Sequence, residues 1–221
     1  MYERSLKGAH IMDKKISLVV IRRLPRYYRY LGELLNQNIT RISSNELSEK
    51  MNVTASQIRQ DLNCFGGFGQ QGYGYSVPEL HQQIGLILGV NKNQNIIIIG
   101  AGNLGHALAN HAGFSKRGFN LTAIFDVDKE KIGTKINNVE VLSLDTLGKY
   151  LDENNVKIAI LTLPRQHTQK VADIVVSHGV RGLWNFSHMD LEVPGDVIVE
   201  NVHLSDSLMT LSYQLNEEDN N

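Results

Sequence analysis

Three closely spaced glycines stand near the centre of the chain, directly after a run of isoleucines. Gly100, Gly102 and Gly105 follow Ile96 to Ile99, and an alanine- and leucine-rich segment follows the glycines. A buried strand, a glycine turn and a helix N-terminus in this order form a cradle for a pyrophosphate. The first glycine permits the tight turn, the second lets the backbone approach phosphate, and the third lets the helix pack closely on the strand. The sequence therefore predicts a phosphate-binding turn.

An aspartate completes this pattern. The next predicted strand, NLTAIFDVD, reaches Asp126, which lies twenty-one residues beyond Gly105. This is the position expected for the acid that binds the ribose hydroxyls of an adenosine. A carboxylate there repels the 2′-phosphate of NADP, so NAD(H) is favoured, although the nearby Lys129 weakens this preference. We expect a bound dinucleotide; a glycine turn with a purely structural role is the alternative.

The residues after Asp126 alternate between predicted strands and helices. Repeated strand–helix–strand units predict a mostly parallel sheet covered on both faces by helices. The closing segment, LSDSLMTLSYQL, is amphipathic, and we expect the acidic tail NEEDNN after it to be frayed. The alternating segments between Asp126 and the closing segment are VEVLSL, DTLGKYLDENN, VKIAILTLP, QKVADIVVSHG, RGLWNF and EVPGDVIVENVHL. The apolar positions of the closing segment are Leu204, Leu208, Leu211 and Leu215.

The net charge of -1 hides an asymmetry between the two halves of the chain. Residues 1–77 carry eleven Lys and Arg against six Asp and Glu, whereas the remainder carries eleven against seventeen. A basic half joined to an acidic half suggests that only the first meets a polyanion. On charge alone, a chance imbalance across solvated faces is the alternative.

The basic half begins with a predicted helix over residues 16–36, whose apolar positions recur with a period near 3.6. Pro25 lies inside this helix and is expected to kink or divide it. Two short helices follow in ISSNELSEKMNVTASQIRQDLNCF; Ser43 or Ser44 is expected to cap the first and Thr54 the second. The apolar positions of the long helix are Leu18, Ile21, Leu24, Tyr28, Leu31 and Leu35.

The two short helices have the pattern of a helix-turn-helix, for which an ordinary helix pair in a bundle is the alternative. The first has a stripe of Leu47 and Met51, the turn is Asn52 and Val53, and Ile58 and Leu62 anchor the second. The other face of the second helix carries side chains suited to base edges and phosphates. These side chains are Ser56, Gln57, Arg59 and Gln60.

Glycine alternates with aromatic residues and glutamine in the next stretch, FGGFGQQGYGYSV. This pattern predicts a short two-stranded ribbon, or wing, whose glycines let a hairpin lie close to a groove. A linker between domains is the alternative, but a solvated linker does not need four aromatics. A closing helix over residues 78–90 and the link NKNQN follow. The aromatics expected to tie the wing to the core are Phe65, Phe68, Tyr73 and Tyr75.

Composition excludes several classes of protein. Hydrophobic residues make up 42% of the chain, enough for a packed core, yet no apolar run approaches the roughly 18 residues that span a membrane. We therefore expect a cytosolic protein. The single cysteine, Cys64, excludes an intramolecular disulfide framework and is interpreted as a packing residue. The eight histidines form no recognisable catalytic or metal-binding arrangement, so neither kind of site is expected. Residues 1–11 fit no pattern, and Met12 is the expected natural start.

With these features in place, the chain resembles the Rex family of redox-sensing transcriptional repressors over essentially residues 16–215. The motifs that carry the resemblance, in order, are RRLPRYYRYL, SSNELSEKMNV, QIRQDL, FGGFG, GYGY, GAGNLGHAL, GFSKRGF, FDVD, LPRQHTQKVAD, NFSHMDLEVP and VENVHL. The resemblance implies an α/β homodimer. Its parts are a winged-helix DNA-binding domain over residues 12–90, a Rossmann-type doubly wound parallel sheet over 91–202, and a domain-swapped helix with an acidic tail over 203–221.

The resemblance also implies roles for particular residues. The pyrophosphate and the adenosine ribose would lie against the glycine turn and the following strand end, while the nicotinamide would lie near a later strand end and the partner's C-terminal helix. The implied cofactor-binding residues are Gly100, Ala101, Gly102, Asn103, Leu104, Gly105, Asp126, Val127, Thr162, Leu163, Pro164, His203 and Leu204. The implied DNA-binding residues are Arg22, Ser44, Ser56, Gln57, Arg59, Gln60, Gln70 and Gln71.

Four residues depart from the family pattern. Gln60 stands where a lysine is usual and Gln71 where the wing commonly has an arginine, so the salt dependence of DNA binding should soften by roughly one unit of slope per lost phosphate contact. His203 replaces a commoner aspartate, and His111 an aromatic such as tyrosine. In related proteins these two positions, with an arginine near Arg29, are linked to switching between states. We expect that contact to be rewired here, with a pH dependence.

The expected activity is that of a repressor without catalytic residues, which binds a palindromic, AT-rich operator as a homodimer and releases it when NADH binds. NAD+ is expected to compete for the same site without driving release. The runner-up is a small NAD-dependent dehydrogenase with a helical dimerisation domain. That interpretation needs a proton-transfer group and a substrate domain, and the sequence shows neither. A cofactor-binding scaffold that acts through protein partners is a second alternative.

Overall fold

The computed structural model describes residues 16–66, 69–70 and 73–219. The chain divides into two compact units, residues 1–91 and 92–221. The described part excludes two residues with predicted roles, Phe68 and Gln71. It also excludes residues 1–11 and the last two residues of the tail. No described helix has both the length and the apolar character needed to cross a membrane.

The described residues of the first unit form four helices and three short strands. The helices are α1 (Leu18–Asn36), α2 (Ser44–Met51), α3 (Ala55–Asn63) and α4 (Val77–Leu88). The strands are β1 (Arg41–Ile42), β2 (Gly69–Gln70) and β3 (Gly74–Ser76).

Local signals set the ends of the two short helices. The Ser43 hydroxyl accepts the amide of Glu46, whose side chain accepts the Ser43 amide in return, so a capping box begins α2. Thr54 caps α3 by accepting the amide of Gln57. Asn52 ends α2 in the left-handed conformation that asparagine tolerates. The predicted helix-turn-helix is therefore present, with Ser43 rather than Ser44 as its first cap.

Helix α1 differs from its prediction in two respects. It is one uninterrupted helix through Pro25, so the expected division is wrong. Its buried stripe is also shifted: the predicted Leu18 is 71% exposed, and Tyr27 lies inside where Tyr28 was expected. Tyr27 is drawn inward because its hydroxyl donates to the buried carboxylate of Asp61. The buried residues of α1 are Leu24, Tyr27, Leu31 and Leu34.

The glycine-aromatic stretch forms a wing rather than a linker. Strands β2 and β3 pair antiparallel, and β1, which the sequence did not reveal, adds a third antiparallel strand in the order β1-β3-β2. Phe65 and Tyr75 are buried as predicted. Tyr73 is 71% exposed, so its predicted role in tying the wing to the core is wrong.

The second unit is built on a seven-stranded sheet in the order β10-β9-β8-β4-β5-β7-β6. All neighbours are parallel except the edge pair β6–β7. The strands are β4 (Gln94–Ile99), β5 (Phe119–Asp126), β6 (Lys135–Ile136), β7 (Val139–Ser143), β8 (Val156–Leu161), β9 (Gly182–Asn185) and β10 (Ile198–Asn201). The helices are α5 (Asn103–Ala109), α6 (Leu147–Glu153), α7 (Arg165–Ser177) and α8 (Leu204–Asp219), with short 3-10 turns before β5 and α6.

The central strand β4 is buried on both faces of the sheet. Ile97 and Ile99 belong to one apolar cluster, with side chains of α6 and α7, while Ile96 and Ile98 belong to a second cluster with Ala109 of α5. A parallel strand covered by helices on both faces requires such a continuous apolar run. The predicted doubly wound sheet is therefore confirmed. Gln94 and Asn95, predicted as linker, begin β4 instead.

Helix α8 has no buried residue along its described length. It continues through the first four residues of the predicted frayed tail and ends at Asp219, so that prediction is wrong for residues 216–219. The exposed apolar side chains of α8 are Leu204, Leu208, Met209, Leu211, Tyr213 and Leu215.

Candidate functional site

The three glycines form a tight turn between β4 and α5. Gly100 has a φ of 104°, and a Cβ on it would lie 2.5 Å from the carbonyl oxygen of Thr162. A Cβ on Gly105 would overlap the carbonyl oxygen of Gly100, so the start of α5 lies directly against the turn. A Cβ on Gly102 would meet no atom within 4 Å, so this residue faces open space. Two glycines thus permit close packing, and the third leaves backbone accessible to a ligand.

Thr162 closes the turn from the next strand. Its hydroxyl donates to the carbonyl oxygen of Gly100 at 2.8 Å, and its amide donates to the carbonyl oxygen of Ile99 at 2.9 Å. Strands β4 and β8 are in register at Ile99 and Leu161, so Gly100 and Thr162 leave the sheet side by side. The sequence placed Thr162 near the site through the family resemblance but gave no sign of this hydrogen bond.

Asp126 directly follows Phe125 of β5, which pairs with Ile99 of β4. Asp126 therefore lies beside Gly100, on the side of β4 opposite to Thr162. One carboxylate oxygen accepts the amide of Ala101 at 2.6 Å, and the other accepts the amide of Asp128 at 2.9 Å. The side chain is 10% exposed. Backbone amides therefore orient the carboxylate at the carboxyl edge of the sheet, where ligands bind in open α/β folds.

The cation beside this carboxylate is Lys131, not the predicted Lys129. The Lys131 ammonium lies 3.7 Å from an oxygen of Asp126 and 3.3 Å from an oxygen of Asp128. The hydrogen bond with Asp128, with the charge of Asp126, raises the pKa of Lys131. The chain makes a turn after β5 that returns Lys131 to Asp126, which linear distance along the sequence does not show.

These residues surround a cavity of about 1050 Å³ at the carboxyl ends of β4, β5 and β8. This volume is at the upper end of ligand pockets, as an extended ligand requires. The lining includes His167 and Lys170 of α7, which sequence reasoning missed because they carry no local motif. The predicted residues on its wall are Gly100, Gly102, Leu104, Asp126, Val127, Thr162, Leu163 and Pro164.

The other predicted cofactor residues do not line the cavity. Gly105 and Ala101 are buried behind the turn, and Asn103 is exposed at the start of α5. His203 stacks on His188, with ring centroids 5.9 Å apart. Leu204 is 64% exposed. Within the described residues, no group of three or more metal-ligating side chains is placed to hold a metal ion.

The helix-turn-helix of the first unit is fixed by a buried charge cluster that sequence reasoning missed. Asp61 of α3 is fully buried and accepts two hydrogen bonds of 2.6 Å from the Arg23 guanidinium. It also accepts the Tyr27 hydroxyl and the Gln57 amide, each at 2.8 Å. Burial opposes the charged form, but these hydrogen bonds outweigh it and hold the pKa of Asp61 below its ordinary value. A charged residue between Ile58 and Leu62 on the inward face was the available signal.

This cluster changes the predicted outer face of α3. Ser56, Arg59 and Gln60 are exposed as predicted, but the Gln57 side chain turns toward Asp61 and is only half-exposed. The Arg59 guanidinium donates to the Ser44 hydroxyl at 2.9 Å, which links α3 to the start of α2. Cys64 is exposed, so its predicted packing role is wrong.

The remaining predicted DNA-binding residues lie on α1 and the wing. Arg22 of α1 is exposed. Gln70 ends β2 and pairs with Gly74 of β3. Exposed Arg22, Arg26 and Arg29 make the outer surface of α1 basic. The first unit therefore presents cations and polar side chains from α1, α2 and α3, as a polyanion-binding surface requires.

Comparison with known proteins agrees with this division of the chain. Residues 15–63 match the family model described as the putative DNA-binding protein N-terminus. Residues 91–189 match the model described as the CoA binding domain.

The chain is also similar to named repressors over nearly its whole length. It is 61% identical over 208 residues to the redox-sensing transcriptional repressor Rex of Clostridium botulinum strain Hall. The aligned residues make up 93% of this chain and 99% of that protein. Its identity to the Rex repressor of Thermoanaerobacter pseudethanolicus is 59% over 205 residues, covering 93% and 92%.

Solved structures match equally well. A crystal structure of RSP in complex with β-NAD+ and operator DNA has a TM-score of 0.88 and 58% identity, covering 93% of this chain and 95% of that one. A structure of RSP in complex with β-NADH has a TM-score of 0.86 and 55% identity, covering 93% and 97%. RSP is itself described as a Rex-family repressor. The chain, with its winged helix-turn-helix and glycine cradle, therefore belongs to the Rex family of redox-sensing transcriptional repressors.

Proposed function

We propose that this protein is a cytoplasmic repressor that binds operator DNA as a homodimer and releases it when NADH binds. The observation that carries the proposal is the pairing, in one chain, of a glycine turn whose Ala101 amide donates to Asp126 with a winged helix-turn-helix. The relatives support it, since RSP was crystallised with β-NAD+ and operator DNA and with β-NADH. The redox state of the nicotinamide then acts as a signal rather than as a reactant.

The proposed cofactor site uses the cavity at the carboxyl edge of the sheet. The backbone of the Gly100–Gly105 turn binds the pyrophosphate, and Asp126 with Val127 binds the adenosine ribose. Thr162, Leu163 and Pro164 lie beside the nicotinamide half. The open space over Gly102 supports this assignment, since a phosphate needs direct access to backbone amides. We assign the cover over the nicotinamide to His203 and Leu204 of a second copy of the chain.

The proposed DNA site places α3 in the major groove. Ser56, Arg59 and Gln60 on its exposed face contact bases or phosphates, and Gln57 has its amide oxygen and a second N–H beyond the one that donates to Asp61. Ser44 and Arg22 contact the DNA backbone, Gln70 of β2 contributes from the wing, and Gln71 is assigned to the DNA site from the sequence alone. A dimer presents two such helices to a palindromic, AT-rich operator.

The exposed apolar side of α8 supports the homodimer. Six large apolar side chains of this helix are at least 50% exposed, and such a face needs a partner surface. A second copy of the chain supplies that surface when α8 is exchanged between protomers.

The linkage between the two sites gives the decisive experiment. If NADH weakens operator binding a hundredfold, about 2.7 kcal/mol, operator DNA must weaken NADH binding by the same factor. Fluorescence anisotropy with a palindromic AT-rich duplex, with and without NADH and NAD+, measures both sides of the cycle. We expect NADH to release the duplex and NAD+ to compete with NADH without releasing it. Operator affinity that ignores saturating NADH would refute the proposal.

Arg59→Ala is expected to abolish specific operator binding while NADH affinity stays within twofold. The guanidinium is exposed on α3 and oriented by the Ser44 hydroxyl, and each of the two protomers loses a bidentate base contact that contributes roughly 1–3 kcal/mol. Anisotropy and NADH titration are measured on the same sample. Lys157→Ala, on β8 of the other unit, removes the same charge and serves as the control. Parallel loss of both activities would show that α3 is not a dedicated reading helix.

Asp126→Ala is expected to weaken NADH binding by roughly 10- to 100-fold, because hydrogen bonds to a charged group contribute roughly 1.5–3 kcal/mol. Operator binding without cofactor should be unchanged, so the variant should repress at NADH concentrations that release the wild type. Isothermal titration calorimetry checks the affinity. Glu140→Ala, an exposed carboxylate of β7, is the matched control. Unchanged NADH affinity in Asp126→Ala would remove the carboxylate from the proposed site.

A further inference from the structure

The wing of this protein contains no cation of its own. Residues 66–76, which include β2 and β3, have no lysine or arginine in the sequence GGFGQQGYGYS. A wing that approaches DNA without positive charge gains nothing from counterion release, which supplies much of the affinity for duplex DNA. Any positive charge at this edge of the unit therefore comes from neighbouring elements.

Arg41 of β1 is placed to supply it. β1 pairs antiparallel with β3, and Arg41 lies opposite Ser76. The Arg41 side chain is exposed, and its Nη1 donates to the carbonyl oxygen of Tyr73 at 3.1 Å. Its Cζ lies 6.0 Å from the centroid of the Tyr73 ring, within the range of a cation–π contact. The guanidinium is thus attached to the turn that leads into β3.

The backbone holds Tyr73 beside this strand. Gly74 has a φ of 71°, and a Cβ there would lie 2.6 Å from the carbonyl oxygen of Ile42, so β3 runs directly against β1. The Tyr73 ring is 71% exposed, although the sequence predicted it in the core. Its contact with Arg41 gives this exposed ring a role, which is to limit the motion of the guanidinium.

A second cation, Arg59 of α3, faces the same sheet. Arg59 donates to Ser44, three residues after Arg41, and its charge opposes the rise that burial causes in the pKa of Tyr75 on β3. Arg41 therefore belongs to the sheet that carries the wing, and Arg59 acts on the same sheet from α3. Arg41 is on the strand rather than at the wing tip, which favours a contact with the sugar–phosphate backbone over insertion into a groove.

We propose that Arg41, held against the wing by Tyr73, binds the DNA sugar–phosphate backbone and supplies the positive charge that the wing lacks. This inference rests on the proposed function, and it adds two residues to the DNA-binding surface. Backbone contacts carry no sequence information, so Arg41 contributes equally on any duplex.

The test is the salt dependence of duplex binding, measured by anisotropy between 50 and 200 mM KCl on an AT-rich palindrome and on a scrambled duplex. Arg41→Ala removes one phosphate contact from each protomer, so it is expected to lower the slope of log affinity against log salt by about two units for the dimer on both duplexes. Over this range its affinity should fall roughly tenfold less than that of the wild type. Arg41→Lys should retain most of the slope, Tyr73→Phe should match the wild type, and Tyr73→Ala should lower the slope partially.

Lys157→Ala controls for net charge, and thermal melting by circular dichroism controls for folding. An unchanged slope in Arg41→Ala would overturn the inference, as would an equal fall in Lys157→Ala. A loss confined to the AT-rich palindrome would show base reading in a groove and overturn the backbone assignment. Absence of wild-type operator binding would refute the proposed function as well, whereas normal wild-type binding with an unaffected Arg41→Ala would refute this inference alone.

Discussion

Gly105→Ala is expected to abolish measurable NADH binding and to lower the stability of the second unit. The added Cβ would overlap the carbonyl oxygen of Gly100 and approach the Thr162 hydroxyl to 3.0 Å. The Gly100 carbonyl is part of the backbone, and the Thr162 hydroxyl donates to that same carbonyl, so neither group can move aside easily. Helix α5 must therefore move away from β4. Overpacking of this kind costs roughly 1–3 kcal/mol in stability. The larger effect is on binding, because the displaced turn no longer presents its amides to a pyrophosphate.

Substitutions at two other glycines are expected to separate the effect on stability from the effect on NADH binding. Gly102→Ala meets no atom within 4 Å and has an ordinary φ of −73°, so it should leave stability unchanged. It should still weaken NADH binding, because its methyl group occupies the open side of the turn. Gly195→Ala also meets nothing within 4 Å and lies outside the cavity wall, so it should affect neither property.

Urea denaturation followed by the fluorescence of Trp184, the single tryptophan, reports on the second unit. NADH affinity is measured by calorimetry on the same variants. The order of NADH affinity should be wild type and Gly195→Ala, then Gly102→Ala, then Gly105→Ala. Wild-type affinity in Gly105→Ala would show that the turn does not form the phosphate site.

The site was predictable from sequence where its signals are local. The glycine spacing, the isoleucine run and the distance to Asp126 together specify a strand, a turn and an acid at the next strand end, and the structure has all three. The caps Ser43 and Thr54 are equally local, since each bonds an amide three residues away.

Contacts between distant residues were not predictable in the same way. Lys131 reaches Asp126 only because the chain turns back after β5, and Thr162 reaches Gly100 across sixty-two positions. The prediction of which face of α1 is buried was wrong for the same reason. Tyr27 is buried because its hydroxyl donates to Asp61, thirty-four positions later. Hydrophobic periodicity treats a tyrosine as one apolar residue among others and does not register this bond.

Exposed aromatics and small strands were missed for a different reason. Glycine-aromatic alternation indicated a wing, but it could not show that β1, two residues long, would add a third strand. With β1 in place, Arg41 rather than the core becomes the partner of Tyr73. Strand pairing decides which side chains meet, and a two-residue strand leaves almost no pattern in a sequence.

Arg23→Met is expected to destabilise the first unit by about 3–5 kcal/mol at pH 7, because it leaves the carboxylate of Asp61 buried without its counter-charge. The Arg23 side chain is 26% exposed, so its own removal costs little stability. The Asp61 side chain is fully buried and is left with an uncompensated charge. Far-UV circular dichroism in urea should show the loss, while the fluorescence of Trp184 in the second unit should not. Equal shifts in both signals would contradict the assignment of the effect to the first unit.

The pH dependence identifies the mechanism of this destabilisation. In the wild type, the folded pKa of Asp61 is below its ordinary value of 3.8, so its stabilising contribution is present above that value and is lost as the pH falls through the folded pKa. In Arg23→Met, burial acts without the guanidinium and raises the folded pKa, so acid protonates and relieves the buried carboxylate. The difference between variant and wild type should therefore shrink from pH 7 towards pH 4. Arg23→Met/Asp61→Asn, which removes both charges but leaves Tyr27 an acceptor, should recover more than half of the lost stability at pH 7. A deficit that is independent of pH and persists in the double variant would mean that Arg23 acts through packing rather than through its charge.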